Sequence, residues 1–107
     1  MVGTPAYMAP QILNEEKYTY KCDIWSLGVM AYEMIVGRLP WLLHEKTLPA
    51  LKKEVMSRLI AFPEHLKISD DLKDFIRGCL CIDEAKRMNW QQIFLHPLFE
   101  GRFKKNF

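Results

Sequence analysis

The stretch from Tyr20 to Val36 constrains this chain more than any other. Wound as a helix, it places Ile24, Leu27, Ala31 and Ile35 on one face and Trp25, Val29, Tyr32 and Val36 on another. A helix that is apolar on nearly every side belongs inside a protein and needs neighbours all round. Its apolar run, Ile24 to Val36, is shorter than the ~20 residues a bilayer-crossing helix requires and contains Glu33, so no membrane span is expected. Asp23 lies in the first turn, where a carboxylate is favoured by the unpaired amides. Gly37 lies just past the end, where a left-handed residue closes a helix. Gly28 sits mid-helix, where glycine costs ~1 kcal/mol against alanine. A close backbone approach is the expected reason for it.

The rest of the chain is read around that helix. With 107 residues and half of them apolar, it has room for one domain and material for a core. No period-two strand is visible, so the expected fold class is all-α, with about five helices around the buried one. Pro10 suits the first position of a short helix. A helix is expected from Ala50 to about Ile60, broken by "AFPEHLK". Ser69 opens the next, with Asp70 and Asp71 in its first turn and Leu72, Phe75, Ile76, Cys79 and Leu80 as its stripe. Asn89 followed by Gln92 has the spacing of a capping box and starts a helix ending near His96-Pro97.

Several function classes fall away. Fifteen basic and thirteen acidic residues, net charge +2, are too balanced to argue for nucleic acid. The tail "GRFKKNF", residues 100–107 with Glu100, reads as a solvated end or a junction to further sequence. Three cysteines do not close a disulfide framework, and Cys79 and Cys81 lack zinc-ligand spacing. His44, His65 and His96 are scattered, so no metal is expected. No signal peptide is visible. Together with the thiols this points to a cytoplasmic location.

Four segments then carry a resemblance: "GTPAYMAPQ" (3–11), "DIWSLGVMAYEM" (23–34), "GRLPW" (37–41) and "CLCIDEAKRMNWQQIFLHPLF" (79–99). In this order they resemble the C-terminal part of the large lobe of a eukaryotic serine/threonine protein kinase, over residues 1–99. "YTYKCDIWSLG" and "MNWQQIFLHPLF" look most like the calmodulin-dependent-kinase-like and autophagy-initiating groups. The resemblance implies a parent reaction of γ-phosphoryl transfer from Mg-ATP to protein serine or threonine.

The resemblance also assigns roles. Gly3, Thr4, Pro5, Ala6, Tyr7 and Met8 correspond to the substrate-docking loop, with apolar walls for the substrate residue after the phosphoacceptor. Thr4 would brace the catalytic aspartate and its neighbouring lysine; a turn threonine bonding its own backbone is the alternative. Asp23 would accept amides of the catalytic loop, or act as a simple N-cap. Trp25 and Gly28 read as packing positions. Arg87 resembles an arginine that pairs with a glutamate at position 11. Here position 11 is Gln11, so the guanidinium is expected to find other acceptors in Asp83, Glu84 or backbone carbonyls.

The chain has no Gly-x-Gly-x-x-Gly, Val-Ala-Ile-Lys, His-Arg-Asp or Asp-Phe-Gly motif. The resemblance implies that these precede the docking loop. Met1 is therefore expected to be an internal methionine or a gene-model start, and the chain alone to be inactive, with no ATP or magnesium site of its own. Its expected partners are protein substrates and the missing N-terminal kinase parts. Without those parts, large side chains of the central helix such as Trp25, Tyr32 or Met34 are expected to stay wet. A non-catalytic interaction module, either a pseudokinase fragment or a truncated product, is the alternative.

Overall fold

The structure, a computed structural model, describes residues 5–41, 47–57 and 59–99. These residues form five α-helices: α1 (Pro10–Leu13), α2 (Tyr20–Val36), α3 (Leu48–Ser57), α4 (Asp70–Cys79) and α5 (Trp90–Phe94). Short 3-10 turns, Pro5–Tyr7 and Pro97–Phe99, lie at either end, and no strand occurs among the described residues.

Local chemistry sets the ends of α2. The Thr19 hydroxyl accepts the Lys21 amide at 3.3 Å, and the Thr19 amide reaches the Cys22 thiol at 3.5 Å. Gly37 adopts φ 89° and donates its amide to Glu33 O at 2.8 Å, a conformation that a side chain would strain. Thr19, not Asp23, is the N-cap.

α3 begins two residues earlier than its periodicity suggests and its described span ends at Ser57 rather than near Ile60. The Thr47 hydroxyl accepts the Ala50 amide at 3.2 Å, and Pro49 has no N–H to satisfy in the first turn. Ser69 caps α4 by accepting the Leu72 amide at 3.1 Å. Asn89 and Gln92 form a reciprocal box, each side chain taking the other's amide at 2.8 Å.

The core gathers Ile24, Trp25, Val29 and Tyr32 of α2 with Leu51 and Val55 of α3, Phe75, Ile76 and Cys79 of α4, and Ile93 of α5. Gly28 marks the tightest crossing: a Cβ there would lie 2.6 Å from Cys79 Cβ and 3.0 Å from Leu80. Burial pushes the Cys79 thiol up to about 12, so it behaves as a small apolar group. Tyr32 reaches from α2 to pack its ring tilted against Phe62 and to donate its hydroxyl to Ala61 O at 2.6 Å. This tethers the segment between α3 and α4 to the core.

Contrary to the expectation, Trp25 and Tyr32 are both only 1% exposed: Trp41 and Arg87 pack on Trp25, and Phe62 and Ala61 on Tyr32. Met34 does lie open, at 81%, flanked by Met30 and Ile35. The central helix is thus covered on one side and open on another.

Candidate functional site

The N-terminal segment is built onto α2 as a ledge. The turn Pro5–Tyr7 closes with the Met8 amide on Pro5 O at 3.1 Å. Ser26 of α2 donates its hydroxyl to Tyr7 O at 2.8 Å, and the Trp41 indole donates to Ala6 O at 3.3 Å. The Tyr7 hydroxyl donates to the Glu33 carboxylate, and this bond pushes it above its ordinary range. Ala9 and Pro10 are buried, whereas Pro5 is exposed and Ala6, Tyr7 and Met8 are half-buried. Four adjacent residues therefore present partly open side chains from a backbone held at two carbonyls. Gly3 and Thr4 lie outside the described residues.

The ledge continues into α1, whose Gln11 reaches the most buried cation among the described residues. Arg87, 1% exposed, donates from Nε to Cys81 O at 2.9 Å. One terminal nitrogen donates to Lys21 O at 2.7 Å, and the other to Gln11 Oε1 at 3.2 Å and Ile82 O at 3.4 Å. Its guanidinium also packs 5.1 Å from a Trp25 ring. Burial pulls Arg87 below the usual guanidinium range, opposed by the nearby Cys22 thiol and then by Glu84.

The expected alternative acceptors resolve unequally. Backbone carbonyls serve Arg87 directly. The Asp83 carboxylate does not; it accepts the Ala85 amide at 3.0 Å. Glu84 is reached through Gln11, whose Nε2 donates to one carboxylate oxygen. The other oxygen accepts the Thr19 hydroxyl at 3.2 Å. Lys21 Nζ adds bonds to Glu84 O at 3.0 Å and Arg87 O at 2.5 Å.

Asp23 stands apart from this cluster. It is exposed and accepts the Tyr18 hydroxyl, which is pushed up to about 12 by that bond. Trp25 is buried against Trp41 at a centroid separation of 5.8 Å and 14° between planes. Its own indole N–H has no partner among the described residues.

Sequence reasoning gave no role to Ser26, Trp41, Thr19 or Lys21. "GRLPW" drew attention to Trp41, but nothing local marks Ser26 or Lys21 as bonding a distant carbonyl. Among the described residues, no group of three His, Cys, Asp or Glu side chains is placed to hold a metal ion. No helix among them is long and apolar enough to cross a membrane.

Comparison with known proteins gives the family of this helical scaffold. The sequence model of the protein kinase domain matches residues 1–99, and the chain belongs to that family. Among its relatives, the serine/threonine-protein kinase atg1 of Aspergillus niger is 41% identical over 98 residues, covering 92% of this chain and 10% of that protein. The atg1 kinase of Dictyostelium discoideum is 39% identical over 94 residues, covering 88% and 14%. The kinase max-2 of Caenorhabditis elegans is 37% identical over 100 residues, covering 94% and 15%. The recurrence of atg1 agrees with the autophagy-initiating group among the resemblances. The chain spans 10% to 15% of the length of these curated relatives.

Proposed function

We propose that this chain is the substrate-docking and structural part of a serine/threonine protein kinase, and that the nucleotide site belongs to sequence the chain does not carry. The observation that carries this reading is the ledge at Pro5–Met8. Its backbone is tied to Ser26 and Trp41, while its side chains remain partly open. A fixed backbone with exposed apolar walls selects an extended peptide by shape. The open side of α2, at Met30, Met34 and Ile35, suits the catalytic-loop side of the same lobe. Thr4 would brace that loop, and Asp23 would exchange Tyr18 for its amides. ATP and magnesium would act in the parent protein, held by residues outside this chain, and the location would be cytoplasmic.

Gln11 gives the second reading its support, because a neutral amide stands where a carboxylate is expected of an active member. A chimera separates the two. Residues 1–99 replace the equivalent part of the Dictyostelium atg1 kinase domain, and phosphorylation of serine and threonine peptides is measured. Retained activity, with no saturable heat when the chain alone is titrated with Mg-ATP, is the expected result. A chimera that folds and binds Mg-ATP yet transfers no phosphate would favour the non-catalytic module.

A further inference from the structure

Arg87 is nine-tenths buried and more, yet among the described residues its one side-chain hydrogen-bond acceptor is a neutral amide. A charge so placed is costly unless a counter-charge is close. Gln11 is itself buried, and its amide can be oriented in one sense only. Oε1 must accept from the guanidinium, and Nε2 must donate to Glu84. The amide therefore links a cation to a carboxylate that does not touch it directly. Glu84 is held for this task by the Thr19 hydroxyl on its second oxygen, and Lys21 fixes the backbone of the turn that carries both Glu84 and Arg87. The Arg87 amide closes that turn on Asp83 O at 3.1 Å and Glu84 O at 3.3 Å.

We propose that Glu84 is a positioning residue that acts on Arg87 through Gln11, the two together replacing a single carboxylate at position 11 and holding α1 and its ledge against residues 81–87. Its consequence for catalysis rests on the docking reading; the contact itself does not. Glu84 is the carboxylate among the groups whose charge favours protonated Arg87; the others are cysteines.

The arrangement makes positions 11 and 84 interdependent. In Q11E the new carboxylate would meet Glu84 acid to acid, where one of the two must take a proton or move away. When E84Q is added, the carboxylate at position 11 would bond Arg87 directly, and the amide at position 84 would donate to it.

The test is a double-mutant cycle on the 107-residue chain: wild type, Q11E, E84Q and Q11E/E84Q, by urea denaturation between pH 5 and pH 8. Q11E is expected to give no gain while Glu84 is present. In the E84Q background it should raise the folding equilibrium constant roughly tenfold, as a neutral bond becomes charge-assisted. Q11E alone should recover stability as the pH falls. Its acid pair has one folded pKa raised above the unfolded value, so the penalty is absent in acid and grows as pH rises through that pKa. A purely structural defect would not follow pH in this way. An additive cycle, or a Q11E defect independent of pH, overturns the proposal; if Q11E fails to fold, recovery in the double variant supports it and failure of both refutes it. Lack of peptide binding at the ledge would refute only the docking reading.

Discussion

The two sides of α2 are alike in being apolar and opposite in circumstance. One, with Ile24, Trp25, Val29 and Tyr32, is sealed by α3, α4 and the segments around them. The other, with Met30, Met34 and Ile35, is 43% to 81% exposed. Apolar character therefore records that a face is meant to be covered, without recording what covers it. The sealed side also carries the shape constraints, namely the Gly28 crossing and the Trp25–Trp41 stack, while the open side carries two methionines, whose unbranched side chains impose no such constraint.

The sharpest way to break this contrast is Trp25→Ala. It removes the ring shared by Trp41 and Arg87 and should cost about 3–5 kcal/mol by chemical denaturation. A loss under about 1 kcal/mol would mean that the sealed side is not sealed in solution.

Gly28→Ala should come next. Its methyl group would enter the space of Cys79 Cβ, which belongs to a helix rather than to a flexible side-chain end. The overpacking is expected to cost about 1–3 kcal/mol despite alanine's better helix propensity. A more stable variant would show that α2 and α4 are not so closely packed.

Met30→Lys with Met34→Lys should have the smallest effect on stability, within about 0.5 kcal/mol. Exposed apolar surface of this kind is expected to make the wild-type chain self-associate in sedimentation velocity, and the double variant to do so less, since the pair lies in the open strip. Unchanged association would place the adhesive surface elsewhere.

Much of the fold is readable because helix signals are local. Gly37 at the end of α2, Ser69 before α4 and the Asn89–Gln92 pair each act within a few residues, and all three operate as their spacing suggests. Periodicity misplaces the start of α3 because it outweighs Thr47 and Pro49. The polar anchor is half legible. Arg87 and Gln11 stand out against the kinase resemblance, but the Gln11–Glu84 bond joins residues 73 positions apart, and no local pattern announces it. The coverage of Trp25 and Tyr32 escapes the sequence for a related reason. Which side of an all-round apolar helix the downstream helices choose depends on where Gly28 lets α4 approach.

The stacked indoles of Trp25 and Trp41 also make a built-in optical gauge. Two transition dipoles held 5.8 Å apart at a fixed angle couple, and their coupling is lost when either ring rotates. Trp41 is bonded to Ala6 and Trp25 lies against Arg87, so the ultraviolet circular dichroism of this pair senses the ledge and its anchor together. The remaining tryptophan, Trp90, is 39% exposed and paired with Phe94, and contributes a separate background. The chain thus carries its own label at the junction where a docking segment would meet the scaffold, and a ligand that shifts the ledge would register without any added dye.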